Sequence, residues 1–76
     1  MKYELYSQQT DQRIAAWGQF KRNEVKVAIV NHLKAHINDT VEYEIDGRLV
    51  DFYELRHGHV MRCVIKGDRE FFKKLT

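Results

Sequence analysis

The chain has 76 residues, of which 43% are hydrophobic, and a formal net charge of +2 at neutral pH. This length predicts one domain over residues 1–76, and a domain so small buries only about 60% of its unfolded surface, which leaves a thin margin of stability. No apolar run is long enough to span a membrane, and a single cysteine excludes an internal disulfide, so a cytoplasmic protein with no membrane partner is predicted.

The first part of the chain predicts a strand followed by a helix. Residues 3–6 alternate as a strand does, and the polar run 7–11 then offers side chains that cap helices. Ile14 and Trp17 share one helical face at spacing i, i+3, and the two alanines between them favour helix. A helix is therefore predicted here, with Gly18 as its end.

Residues 24–38 carry two patterns at once. Val25, Ile29, Leu33 and Ile37 recur every four residues, as on a helix, whereas the β-branched residues near the start also alternate, as on a strand. The length of the segment, its alanines and the lack of a break favour a second helix, and the strand remains the alternative.

Residues 41–65 predict three consecutive antiparallel strands. The first alternates cleanly and ends at Asp46-Gly47, a pair that tolerates the positive φ of a type I′ turn. His57-Gly58 offers a second turn of two residues. Two-residue turns fix the pairing, so Tyr43 should face Val50, and Phe52 should face Cys63.

This pairing sorts the side chains of the three strands onto two faces. The face predicted to form the core is almost wholly apolar: Val41, Tyr43, Ile45, Val50, Phe52, Met61, Cys63 and Ile65. The other face combines acids with an apolar patch, and the members proposed as a protein interface are Leu49, Tyr53, Leu55, Val60, Arg62 and Val64. Exposed apolar patches of this kind usually mark interaction sites.

The C-terminal segment predicts a short third helix. Asp68 could cap residues 69–75, and Phe71, Phe72 and Leu75 would dock the helix onto the sheet. The element order is then β-α-α-β-β-β-α. It predicts a two-layer α+β fold in which an antiparallel sheet of three or four strands carries helices on one face.

The favoured functional hypothesis is a small, non-enzymatic protein-interaction module. Its mixed sheet face would make a homodimer or bind a larger macromolecule, and the protein would act as a regulator, adaptor or inhibitor. No catalytic set is assembled in the sequence, and no cofactor is predicted.

The alternative hypothesis is a nucleic-acid-binding protein, which the charge distribution supports. Residues 1–38 hold six Lys and Arg against three acids, residues 39–65 three against six, and residues 66–76 four against two. A polyanion, RNA or DNA, would therefore meet the helical and C-terminal segments, where basic residues lie near aromatic ones. The candidate residues are Lys21, Arg22, Lys26, Lys66, Arg69, Lys73 and Lys74.

Three other groups of residues carry weaker signals. His32 and His36 have the i, i+4 spacing of a metal-binding pair, but no further ligand completes a site, so no metal is predicted. His57 and His59 lie at a turn and are expected to face solvent. Cys63 is expected to act as a small hydrophobic residue of the core.

Two short runs resemble RelE/ParE-type toxins. They are YEIDGRLV at residues 43–50 and RHG at residues 56–58, and in that family a similar run leads into the last core strand. The resemblance implies a small ribonuclease as a distant enzyme alternative. His57, His59 and Arg62 are its candidate residues, while the catalytic Lys and Arg positions of the family have no counterpart that can be placed.

Overall fold

The computed structural model describes residues 1–75, except for the side chain of Ile65. The chain forms one antiparallel sheet of six strands with a single helix between the second and third strands. The elements in chain order are β1 (Tyr3–Ser7), β2 (Arg13–Trp17), α1 (Arg22–Ala35), β3 (Thr40–Ile45), β4 (Arg48–Arg56), β5 (His59–Lys66) and β6 (Arg69–Lys74).

The predicted fold class was wrong in both strand and helix number. The strands lie in the order β2-β1-β3-β4-β5-β6, and the segments expected to form the first and third helices are the edge strands β2 and β6. The helix α1 carries the chain from β2 to β3, so β3 pairs with β1 rather than with β2.

The helix α1 confirms the helical interpretation of residues 24–38. Val25, Ile29 and Leu33 are buried against the sheet, since positions four apart lie on one side of a helix. His36 ends the helix and is exposed, so the predicted apolar stripe is one turn shorter than its spacing indicated. The helix α1 has 14 residues, and within residues 1–75 no helix is long and apolar enough to cross a membrane.

An irregularity in the first hairpin explains why β2 resembled a helix. Leu5 pairs with Ala15 and Tyr6 with Arg13, so Ile14 is an extra residue in the ladder. Ile14 nevertheless packs against the core, as does Trp17. Because Ile14 is itself the extra residue, it packs on the same side as Trp17 at the spacing i, i+3 instead of i, i+2, and that spacing favoured a helix.

A second irregularity exchanges the two faces of the sheet within β4. The Asp46-Gly47 turn pairs Ile45 with Arg48, as predicted, but Tyr43 then lies opposite Asp51 and not Val50. Val50 is the unpaired residue of a bulge, and every later residue of β4 points to the side opposite to the prediction.

The predicted core face was therefore wrong beyond this bulge. The hairpin β4–β5 has the predicted pairing, with Phe52 opposite Cys63 and Tyr53 opposite Arg62. However, Tyr53 and Val60 are the buried members, and they lie with Val41 under α1. We call the side of the sheet covered by α1 the helix face and the other side the open face.

The strand β6 follows a hairpin turn that had been interpreted as a helix start. Lys66 pairs with Arg69 across the two-residue turn Gly67-Asp68, and Gly67 has φ of +64°. Glycine at the first central position is typical of type II′ turns, which suit the twist of antiparallel strands. Phe71 and Phe72 then point to opposite faces, so they do not form the single apolar side that a docked helix needs.

Candidate functional site

A cleft of about 630 Å³ lies between the first half of α1 and the helix face of β3, β4 and β5. Only one helix covers six strands, so the helix face is left partly open where the sheet extends beyond α1. The residues lining the cleft are Phe20, Arg22, Asn23, Val25, Lys26, Ile29, Tyr43, Asp51, Tyr53, Arg62 and Leu75. Basic, aromatic and polar side chains therefore share one concave surface.

The floor of the cleft contains a buried carboxylate next to two tyrosines. The side chain of Asp51 is 8% exposed, and its Oδ2 lies 3.2 Å from Nε of Arg62. Tyr43 is directly opposite Asp51 in the ladder. The Tyr43 hydroxyl is buried and has no hydrogen-bond partner among residues 1–75, a state that proteins usually avoid.

Both tyrosines remain protonated over the whole physiological pH range. Burial, together with the Asp51 charge, raises the pKa of Tyr53 to about 12. Burial also raises the pKa of Tyr43, with smaller contributions from Tyr3 and Asp51. Each phenol is therefore a neutral group, able to donate one hydrogen bond and to accept others.

The fold brings the two basic segments of the sequence to the same face. Arg22 and Lys26 line the helix side of the cleft, and Lys21 immediately precedes α1. On the sheet side, Arg62 pairs with Lys73 and Lys66 with Arg69, and alternation along β5 and β6 places all four on the helix face. We call Arg22, Lys26, Arg62, Lys66, Arg69 and Lys73 the basic rim.

The open face carries charges of both signs around a central apolar group. Register and alternation place five glutamates on it, and basic side chains of the same face lie beside two of them: Lys2 and Arg13 beside Glu4, and Arg56 beside Glu54. The glutamates are Glu4, Glu42, Glu44, Glu54 and Glu70, and the apolar group is Phe52, Met61, Cys63 and Phe72. Lys74 also points to this side, so it is the one predicted nucleic-acid-binding residue of β6 that lies away from the cleft. The helix face is therefore the more basic side of the molecule, whereas the charges of the open face nearly balance.

The residues predicted as a protein interface do not form one exposed patch. Tyr53 and Val60 are in the core, and Leu55 packs against it. Val64 is half-buried on the helix face, Arg62 belongs to the basic rim, and Leu49 is 48% exposed beside the bulge. The exchange of faces at Val50 removes the argument that these six residues lie together on a surface.

A buried polar cluster that sequence reasoning did not find joins α1 to the sheet. Oδ2 of Asp39 accepts a hydrogen bond of 2.6 Å from the Ser7 hydroxyl and lies 2.7 Å from Nε2 of His32. Its Oδ1 accepts from the backbone N–H groups of Gln9 and Thr40. Burial raises the pKa of Asp39, but these hydrogen bonds outweigh burial and hold it at about 2.

This cluster has the residue types of a catalytic triad without its geometry. In a triad the histidine lies between serine and aspartate, so that it can take the proton of the hydroxyl. Here the aspartate lies between the other two, and Ser7 is buried and donates to Asp39. The cluster is therefore suited to holding β1, α1 and β3 together, and it offers no activated nucleophile.

The other candidate groups are not brought together. His57 and His59 are exposed at the β4–β5 turn, and alternation places His59 and Arg62 on opposite faces of β5. The rings of His32 and His36 are 4.5 Å apart, and no group of three potential metal ligands occurs among the residues that the structure describes. Cys63 is buried on the open face, and burial raises the pKa of its thiol, which does not favour a nucleophile.

Comparison of the chain with protein-family models, with curated proteins and with solved structures finds no match. The function therefore has to be inferred from the geometry and charge of the chain itself.

Proposed function

We propose that the protein binds single-stranded nucleic acid through the basic rim and the adjoining cleft. The observation that carries the proposal is that the basic residues of 22–26 and of 62–73, far apart in sequence, lie on one face, where Arg22, Lys26 and Arg62 line the cleft. A groove lined by cations tracks a phosphate backbone, and Phe20, which is 55% exposed, offers an aromatic surface on which a base can stack. The open face has no comparable excess of cations, so binding is expected on the helix face.

A pair of matched charge reversals tests this proposal. We expect Lys26→Glu with Lys73→Glu to weaken binding of a fluorescent single-stranded oligonucleotide at low salt, because phosphates that these lysines neutralise would lose their counter-charge. The slope of log Kd against log salt should also become shallower, by about 0.7 for each phosphate that the variant no longer neutralises, because fewer counterions are released. Fluorescence anisotropy over a salt series measures both quantities.

The control is Lys34→Glu with Lys74→Glu, which changes the net charge by the same amount. Lys34 is on the last turn of α1, outside the cleft, and Lys74 is the neighbour of Lys73 that points to the open face. The control should bind nearly as well as the unaltered protein. Equally weakened binding in the two double variants would mean that net charge and not the basic rim governs binding, and this would overturn the proposal.

A second candidate is the protein-interaction module, with a homodimer or another protein as partner. The observation that favours it is the apolar group Phe52, Met61 and Phe72 on the open face, bordered by charged residues of both signs, as in an interface with an apolar centre and a polar rim. Sedimentation would detect self-association, and Phe52→Lys should abolish it if this face is the interface.

We also propose a cytoplasmic location and a role without catalysis. The location is supported by Cys63, a buried free thiol in a small domain of the kind that disulfides usually stabilise in oxidising compartments. The absence of catalysis is proposed because the histidines, the thiol and the Ser7 hydroxyl do not meet around one reacting position.

A further inference from the structure

The two edge strands of the sheet differ in how well they are protected against pairing with another strand. At one edge β2 is irregular, because its ladder with β1 shifts between Leu5 and Tyr6. At the other edge β6 pairs with β5 along its whole length, Arg69–Lys74, without any such shift. Bulges are one device by which proteins blunt a sheet edge, whereas a regular edge is a template for a further strand. The edge at β6 is therefore the one open to a partner.

The outer side of β6 carries backbone hydrogen-bonding groups that the sheet does not use. The backbone N–H of Leu75 donates to the Val60 carbonyl, so residue 75 directs its backbone groups toward β5. In an antiparallel ladder this direction alternates from one residue to the next. Glu70, Phe72 and Lys74 therefore direct their N–H and C=O groups away from β5, and within residues 1–75 no strand lies on that side.

We propose that β6 pairs antiparallel with β6 of a second copy of the chain, which joins the two sheets edge to edge in a homodimer. A two-fold axis perpendicular to the sheet would place Phe72 opposite Phe72 of the second copy. All the outward-directed residues would then exchange backbone hydrogen bonds with outward-directed residues of the second copy. The inference goes beyond nucleic-acid binding and does not depend on it, because one copy carries the whole basic rim.

The side chains of β6 are complementary to themselves in this register. Glu70 and Lys74 lie two residues before and two residues after Phe72, so each Glu70 would lie opposite Lys74 of the other copy on the open face. On the helix face Phe71, which is 44% exposed, would lie opposite Lys73. Opposite charges and aromatic pairs stabilise antiparallel strands when they are directly opposite, and a cation over an aromatic ring is also favourable.

The neighbouring symmetric registers are less favourable. A pairing centred on Phe71 places Arg69 opposite Lys73 of the second copy, and a pairing centred on Lys73 places the two copies of that lysine opposite each other. Like charges directly opposite destabilise a pair of strands. Lysines usually protect an edge, but here Glu70 supplies the counter-charge for one of them. The sequence of β6 thus identifies a second copy of the chain as the occupant of the edge.

The test exchanges the two charges that select the register. Sedimentation equilibrium of the unaltered protein over a concentration series should show a mass that rises from one chain to two. Glu70→Lys and Lys74→Glu each create like-charged pairs on both sides of the axis, and each should raise the dissociation constant of the dimer about tenfold. Both the double variant and an equimolar mixture of the single variants should dimerise again, because every cation then meets an acid.

Two further variants distinguish edge pairing from a contact through the open face. Phe72→Pro removes an N–H group that β5 does not use, and proline is tolerated at such positions of edge strands, so the fold should remain while the dimer is lost. Phe52→Lys lies on the open face of β4, two strands from the edge, and should leave the dimer unchanged. Circular dichroism checks that each variant is folded. If Phe72→Pro does not fold, the charge exchange at the exposed Glu70 and Lys74 keeps the test decisive.

Each outcome bears on the inference without bearing on nucleic-acid binding, which is measured separately. A dimer that both charge variants weaken and that their mixture restores supports the inference. A protein that stays monomeric at millimolar concentration overturns it. A dimer that Phe52→Lys abolishes and the charge variants retain also overturns it, and assigns the contact to the open face. A dimer that the charge variants weaken but neither the mixture nor the double variant restores overturns the pairing of Glu70 with Lys74.

Discussion

Val60→Asp is expected to unfold the domain. Val60 is 3% exposed and belongs to the core cluster under α1, where an aspartate would have no partner. A buried, unpaired carboxylate costs several kcal/mol, and removing the valine side chain from the core adds about 1.5–3 kcal/mol. The sum is comparable to the whole stability of a typical small domain, which is about 5 kcal/mol or little more.

The matched control is Met61→Asp, one position along the same strand. Met61 points to the open face and is half-buried, with Glu54 on one side and Lys74 on the other. The charges of these two neighbours nearly cancel, so a new carboxylate at this position meets little net repulsion. We expect this variant to stay folded, with a loss of about 1 kcal/mol. Circular dichroism and urea unfolding distinguish the two. If Met61→Asp unfolds the protein and Val60→Asp does not, the two faces of β5 are exchanged relative to this structure.

The core and solvent faces of β4 and β5 were mispredicted because each side chain was assigned to a face by counting alternate residues from the turn. One extra residue in a strand inverts that assignment for every residue after it. Both two-residue turns that fix the β3–β4 and β4–β5 hairpins were predicted, and Asp46 and His57 do adopt positive φ. The bulge at Val50 has no sequence signal of its own, since valine is an ordinary strand residue. Local rules therefore predicted these two turns, but they did not predict which residues of β4 and β5 face the core.

The edge strands were mispredicted for local reasons as well. The bulge at Ile14 produced the spacing of a helix in β2. In the C-terminal segment, Gly67-Asp68 is a recognisable hairpin pair, and the prediction weighed Asp68 as a helix cap instead. That signal was present in the sequence, and it would have extended the predicted sheet by one strand.

The basic residues of the candidate site could be found from the sequence, whereas their arrangement could not. Charge counting identified both basic segments, because composition is a local property. Their meeting around one cleft depends on the long-range pairing of six strands and on the path of α1. Tyr53 was assigned to an exposed interface because the bulge at Val50 was not predicted, and Asp51, two residues earlier on the same face, is buried with it.

The second large effect is expected at Asp39, whose replacement by asparagine should destabilise the fold by about 2 kcal/mol at neutral pH. The carboxylate receives hydrogen bonds from Ser7, His32 and two backbone N–H groups. Hydrogen bonds to a charged group are stronger than neutral ones, and the amide cannot accept at both ends. Asp11→Asn is the control, because Asp11 is an exposed turn residue with positive φ, which asparagine tolerates. Urea unfolding of both variants measures the difference.

The same carboxylate makes stability depend on pH in a defined window. The pKa of Asp39 falls from 3.8 in the unfolded chain to about 2 in the folded one, so the folded state favours the ionised form. Its contribution is complete above about pH 4 and disappears as the pH falls toward 2, a loss of about 2 kcal/mol. The hydrogen bond from Tyr6, together with Arg13 and Lys2, also lowers the pKa of Glu4, so Glu4 adds to the loss of stability in acid.

Comparison of Asp39→Asn with the unaltered protein isolates the Asp39 contribution. The difference in unfolding free energy between the two proteins should be largest at neutral pH and should shrink as the pH falls from 4 to 2. Protonation of Asp39 at low pH removes from the unaltered protein the negative charge that the Asp39→Asn variant lacks at every pH. A difference that stays constant down to pH 2 would mean that the Asp39 charge does not stabilise the fold. The carboxylate would then join β1, α1 and β3 by its shape and neutral hydrogen bonds alone.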